Sequence, residues 1–221
     1  MIHPKCFVKS WILEKKEQFP KADPLLIERT IYAFELLARL KKHNLSFVFK
    51  GGTSLLLLLP EPMRLSIDID IITDIKKEAL QPILKSVVDE GGFVWYEEDR
   101  RKDQKEEFDH YKFNYSSVIA PQQNTYVLLD TFRTEPVYPK LQPKIVASPF
   151  FDVNEEVTVS LPTINGLLGD KLTTLAPTTI GIPYNDINDP LRDKAVERGK
   201  QVFDVGKLFD ACDDNDEVQK C

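Results

Sequence analysis

Cysteine is scarce in this chain of 221 residues, with Cys6, Cys212 and Cys221 the only three. An odd count without zinc-type spacing excludes a disulfide framework and a cysteine metal site, and it suits free thiols in a reducing compartment. Long apolar runs are missing too. The longest covers residues 55–59, all leucine, and stops at Pro60, far short of the roughly 20 residues that span a bilayer. Residues 1–16 mix charged and apolar side chains and show no secretory signal, so the expectation is a cytoplasmic protein without membrane contact. An excess of positive charge is also absent. Lys and Arg number 29 against 35 Asp and Glu, for a net charge of −6. This excludes a chain whose main task is to coat nucleic acid, though not an enzyme with one local basic patch. Neither internal repeats nor low-complexity tracts are present. What remains is 42% hydrophobic and 29% charged, enough for a globular fold with a real core.

The pattern along the chain predicts an α+β fold. Asp23-Pro24 is a helix start, Asp as N-cap and Pro at the first helical position. Residues 25–42 follow with Leu26, Ile27, Ile31, Phe34, Leu37 and Leu40 at helical spacing, ended by His43-Asn44. Residues 46–50 read as a strand, Gly51-Gly52 as a break, and 53–59 as a short helix. Residues 65–73 read as a second strand and 75–88 as a helix containing Pro82, closed by Gly91-Gly92. Three consecutive antiparallel strands are expected at 93–97, 107–118 and 125–132, with 98–106 as a hairpin tip. Residues 145–161 have room for one or two short strands. Helices are expected at 164–175 and 189–211, and the acidic residues 213–221 are expected to fray. The plan is a mixed sheet flanked by helices, residues 1–161, with a helical region at 162–221 completing it.

Two short motifs carry the chemistry. The first is Lys50-Gly51-Gly52-Thr53-Ser54, a strand end, a glycine turn and a helix start. Glycines let a phosphate approach backbone N–H groups, and the helix directs unpaired N–H groups and its positive dipole end to the same place. Thr53 and Ser54 add hydroxyls, and Lys50 adds charge. A plain tight turn with Ser54 as a cap accounts for the glycines equally well. The turn lacks both the Gly-Lys-Ser/Thr ending of a Walker loop and the spacing of a dinucleotide fingerprint.

The second is Asp68-Ile69-Asp70, set in Ser66 to Ile72 where polar and apolar residues alternate. Residues two apart on a strand share a face, about 7 Å apart. Asp68 and Asp70 thus project together, with Ile67, Ile69 and Ile71 turned to the core. Paired carboxylates repel unless a cation lies between them, and magnesium favours such oxygens. An exposed strand face bearing two acids is the alternative, although Asp is disfavoured in strands. The interval from Ser54 to Asp68 fits a helix and a return strand. Turn and acids can therefore meet at one end of the sheet, the layout needed for attack on the α-phosphorus of a nucleoside triphosphate.

With these motifs in place, Phe49 to Leu55 and Arg64-Leu65-Ser66-Ile67-Asp68-Ile69-Asp70 resemble the AbiEii/AbiGii-type toxin nucleotidyltransferases of the polymerase-β-like superfamily. The family pattern is a Gly-Gly-Thr turn, an Arg-x-Ser run and an Asp-x-Asp strand, in that order. The resemblance implies a nucleotidyltransferase-type mixed sheet and an enzyme that moves a nucleoside monophosphate from a triphosphate to an acceptor hydroxyl. It implies a two-ion magnesium site with a third carboxylate on a later strand. Asp130 is the candidate and Asp109 the weaker alternative. It also implies nucleotide binding by Lys50, Gly51, Gly52, Thr53, Ser54 and Arg64, with Lys171 of Lys171-Leu172 reaching the triphosphate. A later helix with Arg198, Lys200 and Asp204 resembles another family motif, but Gln201 stands where the family has its first Asp. A solvated helix face is the default explanation for each of these helical charges. Relatives are toxins of toxin–antitoxin or abortive-infection modules, so tRNA or other RNA is the implied acceptor and an antitoxin protein the implied partner. Lys41, Lys42, Arg100, Arg101, Lys102 and Lys105 form a candidate basic patch for RNA. Transfer to a small molecule or a protein hydroxyl, and a non-catalytic binding module of the same fold, are the alternatives.

Overall fold

A computed structural model describes residues 1–60, 64–100, 106–179, 181–185 and 193–221. After a short 3-10 turn at Pro4–Phe7 come α1 (Lys9–Gln18), α2 (Pro24–Lys42), β1 (Val48–Lys50), α3 (Gly51–Leu58), β2 (Ile69–Thr73), α4 (Lys77–Asp89) and β3 (Trp95–Glu98). Next are β4 (Phe108–Tyr115), β5 (Thr125–Arg133), β6 (Leu141–Ile145), β7 (Thr158–Pro162), α5 (Ile164–Thr173), α6 (Ala195–Asp210) and α7 (Asn215–Val218).

Helix α2 starts as its sequence dictates. The Asp23 carboxylate accepts from the N–H of Leu25 at 2.7 Å, and Pro24 fills the first helical position. His43 caps the other end and Asn44 follows at φ +59. The helix is buried on more than its apolar stripe. Glu28, Glu35 and Arg39 are buried as well, and each is paired. Glu35 accepts from Arg39 at 2.8 Å and from the N–H of Ile2 at 3.0 Å, and Glu28 accepts from the N–H of Val118 at 2.7 Å. A buried charge without such partners would cost several kcal/mol. Helix α4 runs through Pro82.

Seven strands form one mixed sheet in the order β3-β4-β5-β2-β1-β7-β6. Strands β3, β4 and β5 are antiparallel neighbours, β5 is parallel to β2, β2 antiparallel to β1, and β1 parallel to β7. One face is the core, where Tyr111 and Phe113 of β4, Val127 and Leu129 of β5 and Ile69 and Ile71 of β2 lie with Phe34 and Leu37 of α2. The alternation along β5, Thr125 to Thr131 buried at every second residue, leaves Tyr126, Leu128, Asp130 and Phe132 on the opposite face.

The chain forms two compact units, residues Met1–Pro136 with Pro143–Leu161, and Val137–Gln142 with Pro162–Cys221. The segment Val137–Gln142, which a division at residue 162 would assign to the sheet region, thus goes with the helical unit. The expectation of a frayed end is corrected. Helix α7 docks within the helical unit through Glu217, which is buried and accepts from the Thr163 hydroxyl at 2.5 Å, Lys140 at 3.2 Å and Asn165 at 3.3 Å. Among the described residues no helix is long and apolar enough to cross a membrane.

Candidate active site

The glycine turn and the aspartate strand meet. Lys50 ends β1 opposite Asp70 of β2 in the antiparallel register, and Gly51 opens α3 at φ +78. A Cβ on Gly51 would lie 1.9 Å from Oδ2 of Asp70. Two independent constraints therefore require glycine here, the left-handed backbone and the carboxylate that occupies the side-chain space. Gly52 repeats the second constraint. A Cβ there would lie 2.8 Å from Nη2 of Arg64 and 3.2 Å from Oγ of Ser66. The Arg-x-Ser run, the turn and Asp70 thus form one constellation.

The structure turns the hydroxyls of Thr53 and Ser54 inward. Both are fully buried. The Thr53 hydroxyl donates to the carbonyl of Asp68 at 2.6 Å and the Ser54 hydroxyl to the carbonyl of Gly51 at 2.8 Å. Helix α3 is short and tightly packed, and its first-turn hydroxyls satisfy nearby carbonyls. Thr53 in this way ties the turn to the lead-in of β2. That strand begins at Ile69 and not at residue 65, so Asp68 sits just before it.

The sheet register extends the site sideways. Lys50 is opposite Asp70, Asp70 is beside Asp130, and Asp130 is opposite His110. Residues in register on neighbouring strands project from the same face about 5 Å apart. One row of titratable side chains therefore crosses β1, β2, β5 and β4. At its far end Nδ1 of His110 lies 2.8 Å from Oδ1 of Asp130. His110 is missing from the sequence reading, because only the pairing of β4 with β5 brings it to Asp130. Asp109 turns to the other face, where it is buried and bound by Lys77 at 2.9 Å and Arg133 at 2.7 Å. It is a structural anchor, not a third site carboxylate.

The donor set suits a hard cation in kind. Asp70 lies against the turn and Asp68 two residues ahead of it. Magnesium commonly takes one or two carboxylates and completes its shell with water and phosphate oxygens. Among the described residues, however, no group of three or more His, Cys, Asp or Glu side chains is arranged to hold a metal ion. Asp130 lies beside Asp70 in the register, with its Oδ1 2.8 Å from Nδ1 of His110.

The helical unit gathers its own candidates. Lys171 of α5 is buried, with Nζ 2.8 Å from Oδ2 of Asp204 and 2.9 Å from Oε1 of Gln201, both on α6. Asp204 is fully buried. These are not solvated helix charges, and Gln201 contributes an acceptor to Lys171 from the position where an acid was expected. Arg198 donates to the carbonyls of Pro183 and Tyr184 and to Asp193, anchoring the segment before α6, while Lys200 is exposed. Of the candidate basic patch, Lys42 pairs with Glu90 and Arg100 with Glu98. Arg101, Lys102 and Lys105 lie outside the described residues.

A glycine turn at a strand end, an acidic strand beside it and a mixed sheet define a nucleotidyltransferase fold. An antigenic nucleotidyltransferase-like protein from Paracoccidioides brasiliensis shares it, with a TM-score of 0.52, 14% identity, and 87% of this chain and 84% of that one covered. The family model of the nucleotidyl transferase AbiEii toxin, type IV toxin–antitoxin system, matches residues 35–221, and the chain belongs to that family. Other similar structures are JHP933 from Helicobacter pylori, with a TM-score of 0.49, 17% identity and coverage of 82% and 66%, and MenT4, a nucleotidyltransferase toxin from Mycobacterium tuberculosis H37Rv, with a TM-score of 0.46, 12% identity and coverage of 88% and 88%. The chain spans just under two thirds of the length of JHP933 and 59% of the chain in a structure of a nucleotidyltransferase from Helicobacter pylori. No curated protein matches it in sequence.

Proposed function

We propose that the chain transfers a nucleoside monophosphate from a nucleoside triphosphate to the hydroxyl of an acceptor, RNA and tRNA first, in a magnesium-dependent reaction. In this reading it is the toxin of a toxin–antitoxin or abortive-infection pair in the cytoplasm, held in check by an antitoxin protein. The observation that carries the reading is the contact of Asp70 with Gly51, which puts a carboxylate inside a phosphate-type turn.

The first turn of α3 offers its unpaired N–H groups and positive dipole end to the β- and γ-phosphates. Lys50 and Arg64 add positive charge at the turn. Asp68 and Asp70 are the residues that would hold magnesium, which when bound neutralises charge on the phosphate oxygens. Asp130, next in the row, takes the proton of the acceptor hydroxyl as its oxygen bonds to the α-phosphorus, and pyrophosphate leaves. Fixed charges and donors supply most of such an acceleration.

The test is incubation with each α-labelled nucleoside triphosphate, magnesium and total RNA, with protein and small-molecule acceptors in parallel. Label on RNA with the wild type, lost in Asp70→Asn at unchanged circular dichroism, is the expected result. Full transfer by Asp70→Asn would remove the assignment, and label on protein alone would replace RNA as acceptor. The part played by Lys171 is read from Lys171→Met. A raised KM for nucleotide at intact fold assigns it to the triphosphate, and a loss of stability alone assigns it to the buried pair with Asp204.

A further inference from the structure

The contact between His110 and Asp130 has no part in the roles assigned so far. His110 is 9% exposed, on the face of β4 opposite Tyr111 and Phe113. Its neighbours Asp109 and Tyr111 are buried on the opposite side. A histidine so enclosed needs a partner for its ring nitrogens, and Oδ1 of Asp130 lies 2.8 Å from Nδ1. A carboxylate oxygen accepts, so the bond calls for the His110 tautomer with its proton on Nδ1. The bond spans the antiparallel register pair His110 and Asp130. Its geometry is therefore set by two strand backbones and not by a mobile loop.

From this we infer that His110 is the positioning residue for Asp130, fixing the rotation of its carboxylate toward the reacting hydroxyl. The inference rests on the proposed role of Asp130 in transfer. A free aspartate side chain on a strand rotates about two bonds, and a base displaced by about 1 Å can lose roughly a hundredfold in rate. A hydrogen bond from a buried ring removes most of that freedom before the acceptor arrives. Because the bond is in place in the free enzyme, it acts on the transfer step and not on nucleotide capture at the turn, two strands away along the row from Asp130 to Lys50.

Three variants test it. His110→Leu keeps bulk and removes the donor, His110→Asn keeps a donor at the level of Nδ1, and Asp130→Asn removes the base. His110→Leu is expected to lower kcat by roughly ten- to a hundredfold, with the KM for nucleotide within about twofold. His110→Asn should recover most of the loss. Wild-type kcat in His110→Leu, or equal losses in the Leu and Asn variants, would overturn the inference. A readout apart from turnover is the ring tautomer, from long-range proton–nitrogen-15 correlations in the full chain. Protonated Nδ1 is expected in the wild type and loss of that preference in Asp130→Asn, whereas protonated Nε2 in the wild type contradicts the bond. If Asp130→Asn is itself fully active, the role of Asp130 fails and the inference fails with it. If only that variant is inactive, the inference alone fails.

Discussion

Replacing Gly51 by alanine perturbs the site at the point where its two halves touch. Gly51 sits at φ +78, where an L-residue costs about 1–2 kcal/mol. For a chain of 221 residues that corresponds to a fall in Tm of roughly 2–8 °C. The larger consequence is local. The new Cβ would lie 1.9 Å from Oδ2 of Asp70, well inside contact distance. The turn cannot retreat, because the Ser54 hydroxyl holds the Gly51 carbonyl at 2.8 Å. The Asp70 carboxylate therefore moves. A displacement of about 1 Å in a catalytic group costs on the order of a hundredfold in rate. The expected outcome of Gly51→Ala is a folded protein, slightly less stable, with kcat for nucleotide transfer down about a hundredfold. Because both changes act on one carboxylate, adding Gly51→Ala to Asp70→Asn should remove little further activity. The assay is pyrophosphate release, with a thermal melt on the same samples. Wild-type turnover in Gly51→Ala, or full multiplication of the two losses, would refute the shared site.

Ser54→Ala, which removes an internal bond, should lower stability by about 1 kcal/mol in a urea titration and leave the KM for nucleotide within about twofold; a tenfold rise in KM would return its hydroxyl to the phosphates. Asp109→Asn should cost about 1–3 kcal/mol, because Arg133 loses its carboxylate partner while Lys77 keeps Glu98, and kcat of the folded protein holds; unchanged stability would contradict its role as an anchor. Glu217 gives a pH dependence. Burial alone would raise its pKa, yet bonds from Thr163, Asn165 and Lys140 hold it below the usual glutamate value. A depressed carboxylate stabilises fully above its unfolded value of about 4.3 and loses this as pH falls through the lower folded value. Helix α7 should therefore lose amide-hydrogen protection, relative to the intrinsic exchange rate, below about pH 4, and Glu217→Gln should remove that dependence; equal protection of α7 at neutral and acid pH in the wild type would contradict it.

The parts of the site that are legible in the sequence are local. Asp23-Pro24 sets the start of α2 by its own chemistry, and Gly51-Gly52 breaks β1 because only glycine fits there. The order of strand, turn, helix and acidic strand is a nearest-neighbour pattern. What escapes the sequence depends on register and packing. Asp109 and Asp130 differ only in which face of a strand they occupy, and the pairing of β4 with β5 decides that. His110 acquires its partner from the same pairing, 20 residues away. The carbonyl partners of the Thr53 and Ser54 hydroxyls appear only once α3 is packed against the lead-in of β2. Lys171 and Asp204 read as surface charges because a helical pattern does not reveal that α5 and α6 bury them against each other. The acidic end looks disordered because the partners of Glu217 lie 54, 52 and 77 residues away.

The most direct measurement is calorimetric titration of a non-hydrolysable nucleoside triphosphate into the protein, with and without magnesium, for the wild type, Asp70→Asn and Gly51→Ala. Turn and carboxylate acting as one site predict tighter binding with magnesium in the wild type and no magnesium effect in either variant. Binding that is equally magnesium-dependent in all three would contradict the account.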